Sequence, residues 1–66
     1  MSKPMTKKEA LRIVFVECSN PYARSYANKG LYMEGEELDT QILYVLSNLG
    51  GWRGERAREV KKALRS

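Results

Sequence analysis

Arginine and lysine recur through residues 53–65 at a spacing that gathers four of them on one side of a helix. At about 100° per residue, Arg58, Lys61, Lys62 and Arg65 fall within about a third of the circumference. Arg53 stands just ahead of them, at a corner containing Gly50, Gly51 and Gly54. The chemistry of such a stripe is electrostatic, because guanidinium and ammonium groups donate charge-assisted hydrogen bonds to phosphate or carboxylate oxygens. Glu55 and Glu59 lie three residues before Arg58 and Lys62, so the same residues also suit a solvated face laced with internal ion pairs.

Other chemistry is hard to assemble from this composition. The 66 residues include no histidine, and Cys18 is the sole cysteine. General acid–base work near neutral pH usually falls to histidine, and a nucleophilic cysteine or serine needs a base beside it. The chain is therefore not expected to be an enzyme. The nitrogen ligands usual for zinc are missing and an intrachain disulfide cannot form, so neither metal nor cofactor is expected. Cys18 reads instead as a small apolar residue in a packed face. The longest apolar run, Ile13-Val14-Phe15-Val16, falls far short of the roughly 18–20 residues that cross a bilayer, and no apolar stretch follows Lys3, Lys7 and Lys8 as in a secretion signal. The expectation is a cytoplasmic protein with neither membrane nor small-molecule partner, and the lone cysteine agrees.

Net charge is +4 and is laid out in blocks. Residues 1–30 hold Lys3, Lys7, Lys8, Arg12, Arg24 and Lys29 against Glu9 and Glu17; residues 31–51 hold only Glu34, Glu36, Glu37 and Asp39; residues 52–66 hold Arg53, Arg56, Arg58, Lys61, Lys62 and Arg65 against Glu55 and Glu59. A basic balance favours polyanionic or acidic partners by long-range attraction and bears on association, not on fold. A chain this short makes one domain whose core supplies roughly 3–5 kcal/mol. Disulfides, metals or self-association usually supplement so small a core, and only the last is open here. A second copy of the chain is thus one expected partner.

Caps and periodicity define the elements that must position the stripe. Thr6-Lys7-Lys8-Glu9 has the spacing of a capping box. Ala10, Leu11, Val14, Phe15 and Cys18 then gather on one side of a helix, with Ile13 and Val16 outside it and in need of a second neighbour. The β-branched cluster in residues 12–18 also suits a short strand, although no partner strand is visible. Asn20 and Pro21 suit an N-cap and a first helical position, and Gly30 the left-handed residue past a helix end. Tyr22 would sit beside Tyr26 on that second helix. Residues 31–35 read as a connection with Leu31 or Met33 packed inward.

Glu36, Glu37 and Asp39 open a third helix where its dipole favours negative charge, and Leu38, Ile42, Val45, Leu46 and Leu49 follow at core-facing spacing. Its other side carries Thr40, Gln41, Tyr44, Ser47 and Asn48, and no charge occurs from Thr40 to Trp52. That pattern fits either a helix covered on several sides or an oligomer contact. A fourth helix opens at Gly54 or Glu55 and ends near Arg65, with a thin apolar side of Ala57, Val60 and Leu64. The predicted core comprises Leu11, Val14, Phe15, Leu38, Ile42, Val45, Leu49, Trp52, Val60 and Leu64, with Trp52 as its plug.

Leu49-Gly50-Gly51-Trp52-Arg53, followed by Ala57 and Val60, resembles the helix-hairpin-helix motif over about residues 38–64. The resemblance implies two helices joined by a tight turn whose backbone amides, at the start of the second helix, hold a DNA phosphate without reading sequence. Gly51 and Trp52 match the first glycine and the hydrophobic position of the motif's turn, and Ala57 its packing alanine. The chain departs at the second glycine, where Arg53 stands and Gly54 is displaced by one. That leaves the Arg53 side chain to contact phosphate instead. A helix-turn-helix, with Arg53 to Lys62 on the recognition helix, is the other nucleic-acid arrangement open to this corner. Tyr22, Tyr26, Tyr32 and Tyr44 would stack bases if displayed together with Arg12 and Arg24.

The sequence thus predicts a compact all-α single domain of three to four short helices over residues 1–66, with residues 1–5 disordered. The expected function is that of a small basic accessory protein binding nucleic acid non-specifically through Gly51, Arg53, Gly54, Arg58, Lys61, Lys62 and Arg65. The competing expectation is a protein-interaction module or homo-oligomer with no nucleic-acid role, using the uncharged side of the third helix or the Tyr22/Tyr26 side.

Overall fold

A computed structural model describes residues 5–65. Among them are four helices and no strand: α1 (Lys7–Glu17), α2 (Pro21–Gly30), α3 (Gly35–Ser47) and α4 (Glu55–Arg65). The all-α expectation holds, and α1 takes up the stretch that also suited a strand. Its start is fixed by the capping box, with the Thr6 hydroxyl accepting from the Glu9 amide at 3.1 Å and the Thr6 amide donating to the Glu9 carboxylate at 2.8 Å. The expectation of disorder for residues 1–4 lies outside the described residues; Met5 packs, half-buried, against the core.

Asn20 caps α2 as its type suggests, its side-chain oxygen accepting from the amides of Tyr22 at 2.8 Å and Ala23 at 3.2 Å, with Pro21 in the first turn. Leu31 and Met33, in the connection to α3, both pack half-buried against the core. No side chain caps α3. Gly35 turns into it at φ +61°, and Glu36 and Glu37 occupy the first turn near the positive end of the dipole.

Helix α2 packs between α1 and α3, while α4 lies mainly against α1 and barely touches α3. The body is accordingly flattened, 28 × 27 × 17 Å. Leu11, Val14, Val45, Leu49 and Val60 have fully buried side chains, contiguous with Leu38, Ile42, Leu64 and Cys18. Each such burial removes apolar surface from water and contributes about 1.5–3 kcal/mol.

Several packing expectations are corrected. Phe15 is 37% exposed and outside the core. With α2 and α4 both against α1, the buried stripe of Ala10, Leu11, Val14 and Cys18 extends towards Ile13 instead, which is half-buried. Phe15 falls on the edge, where the Arg24 guanidinium lies 5.5 Å from its ring centroid and Arg24 Nε donates to its carbonyl at 2.9 Å. Val16 remains exposed. Trp52 is half-buried, packing against the core from the corner without plugging it.

Gly30 is not a left-handed residue past a helix end; it is the last residue of α2, and Leu31 follows at φ −63°. A Cβ at Gly30 would lie 2.9 Å from Leu11 Cδ1 and 3.3 Å from Gln41 Cγ, so the glycine serves close approach of α1, α2 and α3. Gln41, expected on a polar face, is buried and donates to the Tyr26 carbonyl at 2.9 Å, which satisfies it against α2. Tyr26 pairs with Tyr44 across that contact, ring centroids 5.7 Å apart, and Tyr22 stays exposed. No helix among the described residues is long and apolar enough to cross a membrane.

Candidate nucleic-acid interface

The corner between α3 and α4 is built by short backbone bonds and one buried anchor. Asn48 and Leu49 donate their amides to Val45 and Leu46, at 3.0 and 3.1 Å, which tightens the end of α3 and drives the Leu49 side chain into the core. The Trp52 amide closes back on the Leu49 carbonyl at 3.0 Å. Gly54 adopts φ +109°, a conformation costly for any residue with a Cβ, and its carbonyl accepts from the Arg58 amide at 3.0 Å to open α4. Two side chains pin the corner from outside: Asn20 Nδ2 donates to the Asn48 carbonyl at 3.1 Å, and Lys61 Nζ to the Trp52 carbonyl at 2.8 Å. Nothing lies within 4 Å of a Cβ built on Gly50, Gly51 or Gly54, so the backbone of the turn is uncrowded.

Helix α4 buries Ala57, Val60, Ala63 and Leu64 and presents Arg58, Lys62 and Arg65 to solvent. Together with Glu55, Glu59 and Lys61 they line a shallow open depression along the helix. A second depression, at the corner, is lined by Gly50, Trp52, Arg53, Gly54, Arg58 and Lys61. Arg58 and Lys61 belong to both, so one surface rich in cations runs from Arg53 to the end of α4, with Glu55 and Glu59 also on it.

Ion pairing separates the cations of this surface from several elsewhere. Lys7 pairs with Asp39 at 3.4 Å, Lys8 with Glu34 at 3.2 Å and Arg56 with Glu17 at 3.3 Å. The hydrogen bond and charge of Glu17 push the Arg56 pKa above its ordinary value, and two guanidinium nitrogens of Arg56 donate to the Glu17 carboxylate at 3.3 Å. Among the described residues, Arg53, Arg58, Lys62 and Arg65 have no ion-pair partner, and Glu55 and Glu59 do not form the three-residue pairs that their spacing allows. Lys61 differs: it is half-buried and its ammonium is committed to the Trp52 carbonyl.

Six of the seven residues singled out from sequence, Arg53, Gly54, Arg58, Lys61, Lys62 and Arg65, thus line this surface, with Lys61 as a brace; the seventh, Gly51, does not. Gly51 lies instead in a cleft on the other side of Trp52, which the sequence does not signal, with Cys18, Asn20, Tyr22, Asn48 and Trp52 itself among its lining. The cleft is assembled from two corners 28 residues apart in sequence, joined by the Asn20–Asn48 bond. No local pattern signals such a meeting. Comparison with protein families, with curated proteins and with solved structures finds no match.

Proposed function

We propose that this protein binds nucleic acid through the phosphate backbone, without reading base sequence and without a catalytic role. The observation that carries the reading is the set of exposed cations Arg53, Arg58, Lys62 and Arg65 on one surface, unpaired among the described residues, where the lysines of α1 are already committed to α3 and its approach. None of the ion pairs described above has to break before these groups meet phosphate. From Arg58 to Arg65 the helix rises roughly 10 Å, the axial length over which one strand presents about three phosphates. The helix-hairpin-helix resemblance adds the uncrowded backbone of Gly51 and Gly54 as further phosphate contacts. Such a partner is at hand in the cytoplasm, where Cys18 also stays a thiol.

The test is a titration at several salt concentrations. Four phosphate contacts give log K against log[salt] a slope of about −3, equivalent to roughly a sixtyfold loss of affinity between 50 and 200 mM. Absence of binding at low salt, or binding indifferent to salt, refutes the reading.

A second reading, a homodimer, is favoured by one observation. Leu43 is 65% exposed on α3 and, with Leu46, lines a depression shared with Leu64 of α4. A patch of that kind gains stability by pairing with its copy. Sedimentation is expected to show a dimer at high micromolar concentration, and a pure monomer there removes this reading.

A further inference from the structure

Trp52 separates two surfaces of different chemistry. On one side lie Arg53, Arg58 and Lys61; on the other is the cleft whose lining includes Tyr22, Asn20 and Asn48. Trp52 is half-buried and Tyr22 is 67% exposed, and both contribute to the lining of this cleft. Its frame is held on both sides, by Asn20 Nδ2 on the Asn48 carbonyl and by Lys61 Nζ on the Trp52 carbonyl. The Asn48 amide nitrogen donates to the Tyr44 carbonyl at 2.9 Å, which fixes that side chain and leaves its oxygen without a donor among the described residues.

The geometry points to a single strand as the form of nucleic acid bound, with the phosphates on the α4 stripe and one unstacked base in the cleft between Trp52 and Tyr22. This deepens the phosphate-binding reading and rests on it. In a duplex the base faces are covered by their neighbours and only edges reach the grooves. A cleft lined in part by two aromatic residues, Trp52 and Tyr22, beside a cationic track instead suits a strand whose bases are free to stack on protein rings, an interaction that every base can make.

Trp52 is the sole tryptophan and borders both surfaces, so its fluorescence reports binding at the corner, and comparison with the abasic oligomer separates the cleft from the phosphate track. The experiment titrates the whole protein with four probes at low salt: an oligothymidylate of about ten nucleotides, its duplex with oligoadenylate, an abasic deoxyribose-phosphate oligomer of equal length, and thymidine monophosphate. The oligothymidylate is expected to quench Trp52 and to bind roughly fivefold or more tightly than the duplex or the abasic oligomer, the factor expected from stacking one base. Tyr22→Ala, at an exposed position, is expected to erase that advantage while keeping the salt slope. Equal binding of all three polymers with unchanged Trp52 emission overturns the cleft inference and leaves phosphate binding standing. Tight binding of thymidine monophosphate overturns it in favour of a small-molecule site. No binding of any probe defeats both the inference and the reading beneath it.

Discussion

A Leu11→Ala protein is expected to lose most of its folded population at room temperature. Leu11 is fully buried, and its Cδ1 lies so near Gly30 that even a Cβ there would approach it to 2.9 Å. The α2 backbone at Gly30 and side chains of α3 therefore crowd this side chain and leave little room to collapse into the space it vacates. Leucine-to-alanine changes in such sites cost about 2–5 kcal/mol, against roughly 3–5 kcal/mol available to a core of this size. The melting midpoint should fall by about 10–20 °C or the transition should vanish. Val16→Ala, at a position 69% exposed, should stay within about 0.5 kcal/mol of the parent. If Leu11→Ala melts within a few degrees of the parent in circular dichroism, the packing of α1 against α2 is wrong.

The second large effect is on binding. Changing Arg58, Lys62 and Arg65 together to alanine removes three of the four unpaired cations of the surface and is expected to weaken nucleic-acid binding by roughly a hundredfold or more at low salt. Stability should fall by no more than about 2 kcal/mol, because all three side chains are exposed and unpaired among the described residues and removing Lys62 and Arg65 near the helix C-terminus costs about 0.3–1 kcal/mol each. Binding is therefore compared at a temperature where the variant is folded by circular dichroism. An Arg12→Ala, Lys29→Ala pair removes exposed charge from α1 and α2 and should leave affinity within a few-fold. If both sets weaken binding in proportion to the charge removed, attraction is a property of net charge and not of α4. Lys61→Ala is the informative single change: its ammonium holds the Trp52 carbonyl, so it should loosen the corner while altering the salt slope less than Arg58→Ala.

Local signals in the sequence are sufficient for the caps, the α3 stripe and the two sides of α4. Thr6, Asn20 and Pro21 act within a turn of their own position, and a helix side follows from spacing alone. What spacing does not contain is which neighbours a helix has. Phe15 and Ile13 exchange places relative to expectation because two helices, not one, lie against α1. Gly30 looks like a helix stop in sequence, and only the approach of Leu11 and Gln41 reveals why it has no side chain. Gln41 reads as polar surface until α2 supplies the Tyr26 carbonyl. The same limit applies to the candidate site. The cationic stripe is periodic and visible, whereas the brace from Lys61 and the cleft between Asn20 and Asn48 depend on hydrogen bonds across 9 and 28 residues.

The most direct measurement of the central claim is the salt dependence of binding, taken in parallel for the parent protein and the Arg58→Ala, Lys62→Ala, Arg65→Ala variant with one oligonucleotide. Slopes of about −3 for the parent and about −1 for the variant are predicted, since each phosphate that a side chain neutralises releases somewhat less than one counterion and the variant neutralises three fewer. Equal slopes for the two proteins would contradict the claim that α4 is where this protein meets phosphate.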